Sequence, residues 1–337
     1  MLNPRLLSHP AARPLIYTGL LLFALWRLVP LIRAQEAMNG FDLTGSLVPA
    51  GAIEAGGPPR DGIPALDHPS MLPVSRASWL HPDDRVLGVT LGGDSRAYPV
   101  RILNWHEVVN DTVHGVPLLI TYCPLCGTGM AFAAEVEGRA LTFGVSGLLY
   151  NSDVLLYDRQ TESLWSQVAA LAISGAMKGR SLRQIPLEYT SWRDWSSRHP
   201  RGLVLDPETG YRRDYSRDPY ADYRNREQIY FSVAHRDGRY PVKAPVVGLV
   251  LGGRARAWPL AELERVDHWP LRDSLNGVPL RIRYDAGAQS VTITDETGRA
   301  LPAILAYWFA WVAFHPDSEV FRVSPAPPGS PRDGRAR

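Results

Sequence analysis

Hydrophobic and polar positions alternate in short runs broken by turn residues over most of the chain. Val86–Leu91, Leu118–Tyr122, Leu141–Val145 and Val154–Tyr157 are apolar or β-branched runs bounded by turn formers, and they predict strands. Val247–Leu251, Leu280–Tyr284 and Ser290–Thr294 predict a matching set in the second half. Ile102–Val109 and Leu260–Val266 read as short helices between paired strands. Leu301–Phe314 is apolar almost all round, so it reads as a core helix opened by Pro302 and too short to cross a membrane. The 29 glycines and 29 prolines favour many short strands and turns over long helices.

The pattern also repeats. Gly88-Val-Thr-Leu-Gly-Gly-Asp-Ser-Arg-Ala-Tyr-Pro-Val100 matches Gly248-Leu-Val-Leu-Gly-Gly-Arg-Ala-Arg-Ala-Trp-Pro-Leu260 at seven of thirteen positions. Asp111–Tyr122 matches Asp273–Tyr284 at seven of twelve, with two extra residues between the blocks in the second copy. Such agreement implies a duplicated unit. The expected fold class is therefore α+β and β-rich, with an internally duplicated strand–helix–strand unit, a long insertion and a C-terminal core helix. The copies span 86–132 and 246–294, the insertion 146–245, and the whole duplicated domain 65–323.

At the N-terminus, Arg5 and Arg13 precede the apolar run Leu15–Trp26, and Ile32-Arg33-Ala34 follows. Residues 1–34 read as a signal peptide or a signal anchor, which places the rest of the chain outside the cytoplasmic membrane, secreted or tethered through that segment alone. Residues 35–64, rich in Gly, Pro and Ala, read as a linker, and 324–337 as a disordered tail. Among 337 residues, 45% hydrophobic content is enough for a core, and a net charge of +2 without a basic stripe excludes nucleic acid as an expected partner.

Only the first copy carries the two cysteines of the chain, in Cys123-Pro-Leu-Cys126-Gly127; the second copy has Asp285-Ala-Gly-Ala288 there. Three chemistries fit the motif. As a metal knuckle, two thiolates face one point, and thiolate softness selects copper or zinc over Mg²⁺. As a redox dithiol it would serve an unknown redox partner. As a structural disulfide it would suit an oxidising compartment. His106, in Asn104-Trp105-His106-Glu107, is a candidate third ligand or proton carrier, with Glu107 beside it. His106 and Glu107 also form a candidate acid–base pair for a hydrolase, although no nucleophile is recognisable. The segment Ser146–Gln167 is polar for a strand pair; Asn151, Asp153, Asp158, Arg159, Trp165 and Ser166 form a candidate wall for a small polar ligand such as a carbohydrate. The alternative there is an ordinary hairpin with turn bonds at Asp158–Thr161.

Taken together, these stretches resemble the prokaryotic family catalogued as domain of unknown function 3179. The resemblance is carried by Asn104-Trp-His-Glu-Val-Val-Asn-Asp, Tyr122-Cys-Pro-Leu-Cys-Gly, Ser146-Gly-Leu-Leu-Tyr-Asn-Ser-Asp, Asp158-Arg-Gln-Thr-Glu-Ser-Leu-Trp-Ser-Gln and Tyr307-Trp-Phe-Ala-Trp with Phe314-His-Pro-Asp. It spans about residues 65–323. It implies that the Cys-Pro-Leu-Cys and Trp-His-Glu elements are family hallmarks and that exported members are expected, but it assigns no activity. The expected function is an extracytoplasmic metal or redox centre; the alternative is a small-ligand binding module with a structural disulfide.

Overall fold

The computed structural model describes residues 37–323, so residues 1–34, read above as a signal peptide or anchor, and 324–337, read as a tail, lie outside the described residues. The chain is 41% strand and 12% helix, in five small sheets arranged as the blades of a five-bladed β-propeller. This overturns the α+β expectation: no duplicated strand–helix–strand unit is built.

The reason lies in the segments read as helices. Of Ile102–Val109, the helix is Val100–His106; it stops at Glu107, which is left-handed at φ 58°, and Val108–Val113 is at once a strand. β-branched Val108 and Val109 suit a pleated surface better than a helix. The second helix contracts to Leu260–Leu263. The expected core helix divides into a strand, Ile304–Tyr307, and a two-turn helix, Trp308–Phe314.

The sequence match is expressed instead as equal register within two sheets. In one, Arg85–Leu91 pairs with Asp94–Pro99 and sets Val86 opposite Pro99; in the other, Pro245–Leu251 pairs with Arg254–Pro259 and sets Val246 opposite Pro259. Each hairpin has an antiparallel neighbour on one side, Glu188–Ser191 or Ile304–Tyr307. On the other side runs a parallel neighbour, Leu203–Leu205 or Glu319–Val320. Each antiparallel neighbour continues into a short helix whose tryptophan lies over the hairpin glycine, Trp195 on Gly88 and Trp311 on Gly248.

Two further sheets position the cysteines. The first runs Val108–Val113, Val116–Cys123 and Thr128–Ala133, with Arg183–Ile185 and Leu66–Asp67 at its edges. The second holds Phe143–Tyr150, Asp153–Asp158, Leu164–Ser166 and Leu171–Ala172, and takes Ile53–Ala55 as an edge strand. Residues 35–64 thus contribute a strand as well as connecting chain, and residues 146–245 supply strands to three sheets. The fifth sheet is Leu271–Leu275, Val278–Asp285 and Ser290–Thr294. A buried apolar cluster containing Cys123, Cys126, Phe143, Trp165, Trp308 and Trp311 joins three of these sheets behind the cysteine loop.

Candidate metal centre

Cys123 is the last residue of its strand and stands opposite Thr128, the first of the next. The loop between them closes through Gly127 at φ +64°, a left-handed conformation that costs glycine little. Both cysteines are buried and unbridged. The adjoining sheet brings up Asp153 after a tight turn in which Asn151 and Ser152 are both left-handed, at φ 54° and 62°. The Ser152 carbonyl accepts a bond from Cys126 Sγ at 3.3 Å and faces Cys123 Sγ at 3.9 Å. One ligand atom from each of Cys123, Cys126 and Asp153 lies within 4.8 Å of the others, and all three residues are buried.

Electrostatically the group is acidic and uncompensated. Burial raises the Cys123 thiol above its ordinary value and the Cys126 thiol well above it. Burial pushes the Asp153 carboxyl up to about 7, opposed by the Val168 amide, which donates to Asp153 Oδ2 at 3.0 Å. Asp153 Oδ1 is buried with no partner among the described residues. Glu107 is buried as well and pushed up to about 8, mainly by desolvation and further by the Asp153 charge. Its one side-chain bond is from the Tyr220 hydroxyl, at 3.4 Å. Glu107 also acts on Cys123, raising it. Three groups that would each carry a negative charge converge in the interior with no cationic side chain among them, and the buried Glu107 acts on two of them. Such a site stays protonated or takes up a positive ion.

The residues expected from the sequence divide. Cys123, Cys126 and Asp153 come together, and the buried Glu107 is coupled to them electrostatically. His106 is fully buried, but its Nδ1 faces the Pro64 carbonyl at 2.7 Å and its Nε2 the Tyr215 hydroxyl at 2.6 Å. Burial lowers it to about 4, so it is neutral, and it is not a member of the Cys123–Cys126–Asp153 group. His268, which aligns with His106 if the two extra residues of the second copy fall before it, is exposed, so the two share no packing role.

Apart from Asp153, the expected ligand-wall residues between 151 and 166 spend their groups on the fold. Asn151 donates to the Ala313 carbonyl and accepts from the Ala234 amide. Asp158 accepts from the Thr161 amide and hydroxyl and from the Trp165 indole. Arg159 pairs with Asp67, and the Ser166 hydroxyl accepts from the Ala169 amide. Trp165 is fully buried edge-on to Phe143. Sequence reasoning missed Tyr220, which reaches Glu107, and Tyr223, whose hydroxyl donates to the Leu125 carbonyl at 3.0 Å within the cysteine loop. Both lie in the aromatic–charged stretch Tyr211–Tyr223, which carries no local pattern that ties it to the cysteines.

Fold and site define a small β-propeller with a buried dithiol–carboxylate pocket between two of its sheets. The family described as "Protein of unknown function (DUF3179)" matches residues 60–318, and the chain belongs to it. Neither a curated protein nor a solved structure matches the chain.

Proposed function

We propose that this is an extracytoplasmic protein whose Cys123, Cys126 and Asp153 hold a zinc or copper(I) ion, with Glu107 able to complete the shell. One observation carries the reading: two buried thiols and a buried carboxyl with an unpartnered oxygen converge within 4.8 Å, and no cationic side chain belongs to the group. The donor set suits the ion. In a tetrahedral zinc site with Zn–S of about 2.3 Å, the sulfurs sit about 3.8 Å apart, and here the three ligand atoms lie within 4.8 Å of one another. Two thiolates and an oxygen also satisfy copper(I), whereas Mg²⁺ and Ca²⁺ ask for oxygen alone. A bound cation would reverse the pKa shifts, because its charge favours the ionised form of each donor. Export is supported by the basic residues, apolar run and small-residue end of segment 1–34.

A redox dithiol is the second reading, favoured by Asp153 being poised near 7 beside the thiols, where it can accept a proton. It is the weaker one, since both sulfurs are buried and desolvation holds them as thiols, the unreactive form. Elemental analysis with thiol counting, on protein exported from a bacterial host and purified without chelator, separates the two. About one equivalent of zinc or copper, lost in Cys123→Ser, supports the metal reading. A metal-free protein whose two thiols oxidise and reduce reversibly sinks it in favour of the dithiol.

A further inference from the structure

Beside the cysteine loop lies a cavity of about 450 Å³, whose wall includes Tyr122 and Gly127, the residues that bracket Cys123–Cys126. Its volume is in the range of small-molecule sites. Four of the five sheets contribute to it, and its lining follows the equal registers described above. Val100 and Leu260 stand at matching positions, as do Tyr122 and Tyr284. Tyr189 opposes Leu87, and Leu305 opposes Val247, the equivalent place in the second sheet. The cavity therefore lies where the two similar sheets and their hairpins converge, and its floor is apolar.

What breaks this equivalence is charge. Arg85 stands where the second sheet has Pro245. The Arg85 guanidinium donates to the backbone carbonyls of Ala288, Tyr189 and Gln289 and lies 4.6 Å from the Tyr189 ring centre. No acid among the described residues pairs with it. Neutral carbonyls orient a guanidinium without cancelling its charge. The other arginine of the lining, Arg224, is neutralised by Asp218, and the one acid, Glu264, accepts from the Tyr284 hydroxyl at 3.2 Å. The chamber, walled by tyrosine rings and aliphatic side chains, thus presents one guanidinium without an acid partner, Arg85, while the Glu264 carboxylate is held by the Tyr284 hydroxyl.

We propose that this cavity binds a small organic anion, a carboxylate carried on a flat or ring-shaped apolar body, with the carboxylate toward Arg85 and the ring among Tyr122, Tyr189, Tyr284 and Tyr307. Guanidinium recognises carboxylate, and phenol rings stack on flat bodies at little entropic cost. The site stands on its own geometry and does not require the metal.

The test is calorimetry and thermal shift on the full-length protein with benzoate, 4-hydroxybenzoate and phenylacetate as anionic probes and benzyl alcohol as the neutral one. At least one carboxylate is expected to bind in the low millimolar range or better and at least tenfold tighter than benzyl alcohol. Arg85→Gln should erase that preference. Ala261→Trp places an indole in the lining from an exposed position and should abolish binding of every probe; it carries the test if Arg85→Gln fails to fold. Binding that survives Ala261→Trp, equal affinity for acid and alcohol, or no binding by any of the three carboxylates would overturn the proposal. Binding retained in Cys123→Ser would separate this site from the metal reading.

Discussion

The amide of Tyr307 donates to the carbonyl of Cys126 at 2.8 Å, and its ring lies over Gly127 so closely that a Cβ there would come within 3.0 Å of Cζ. The cysteine loop of one sheet is thereby fastened to the edge strand of another, far along the chain. The contact explains why the loop needs glycine twice over, for its left-handed backbone and for the space.

Gly127→Ala should therefore be costly. The left-handed backbone costs a side chain about 1–2 kcal/mol, and the new methyl group must displace the Tyr307 ring. The expected result is a melting temperature lower by several degrees together with weaker metal retention, read by calorimetry and elemental analysis. Tyr307→Phe keeps the amide and the ring face and should leave both near wild type. Unchanged metal content and melting in Gly127→Ala would show that the loop does not need this shape.

Asp153→Asn should act with opposite signs in the two states of the protein. Without metal, the carboxyl is buried and held at about 7, so ionising it at pH 8 opposes folding. The amide removes that penalty and should raise apo stability at pH 8 by about 4 kcal/mol at most, falling to about 2 kcal/mol at pH 5. With metal, losing a ligand oxygen should weaken affinity by more than the 10–100-fold typical of outer-shell changes. Urea unfolding of chelated and zinc-loaded protein at both pH values reads the crossover. A variant less stable than wild type in all four conditions would refute the electrostatic account.

Much of this site was legible because its parts are local. The Cys-x-x-Cys-Gly spacing names two donors and the glycine that lets them meet, and its presence in one copy alone marks the place. Asp153 was singled out too, but as part of a polar wall; its partnership with the cysteines depends on how two sheets pack, which no local pattern encodes. Glu107 was visible as an acid beside a histidine. That it turns into the interior, leaving His106 to Pro64 and Tyr215, follows from a left-handed helix end at a non-glycine residue, for which sequence has no dependable sign. The fold class failed for a related reason. A run as short as Ile102–Val109 suits a strand and a helical turn equally, and here tertiary pairing put Val108 and Val109 in a strand.

The paired glycines beneath the tryptophans provide a symmetric test of the two similar sheets. A Cβ on Gly88 would come within 2.2 Å of Trp195 Nε1, and one on Gly248 within 2.1 Å of Trp311 Cζ3. Both rings are buried and cannot swing away. Gly88→Ala and Gly248→Ala should each destabilise by about 3 kcal/mol or fail to fold. Gly93→Ala, with open space at its Cβ, reports the cost of a left-handed backbone alone. Gly88 and Gly248 are not left-handed, so losses no larger than about 0.5 kcal/mol in Gly88→Ala and Gly248→Ala would mean that the tryptophan contacts do not fill the space above them.

The pH dependence of the metal-free protein should change character near pH 6.5. His106 and His315 are both lowered to about 4 by burial, so each binds its proton in the unfolded chain before the folded one. Between about pH 4 and 6.5 each therefore makes stability rise with pH. Glu107 and Asp153 work the other way. Held at about 8 and about 7, they keep protons in the folded state that the unfolded chain has released, and each lowers stability as pH rises from about 4.5 to its folded value. Each group contributes a slope of about 1.4 kcal/mol per pH unit. Two rising and two falling terms nearly offset one another up to pH 6.5, above which only the falling ones remain. Chelated protein should show a flat stability profile from pH 5 to 6.5 and a decline from 6.5 to 8. Zinc reverses the upper limb, because ionised donors bind it and protonated ones do not. Glu107→Gln should shorten the apo decline, ending it near pH 7, where Asp153 finishes titrating. Denaturant titrations at half-unit pH steps, with and without zinc, read both limbs; an apo profile that climbs from pH 6.5 to 8 would mean that the two buried carboxyls are not held protonated.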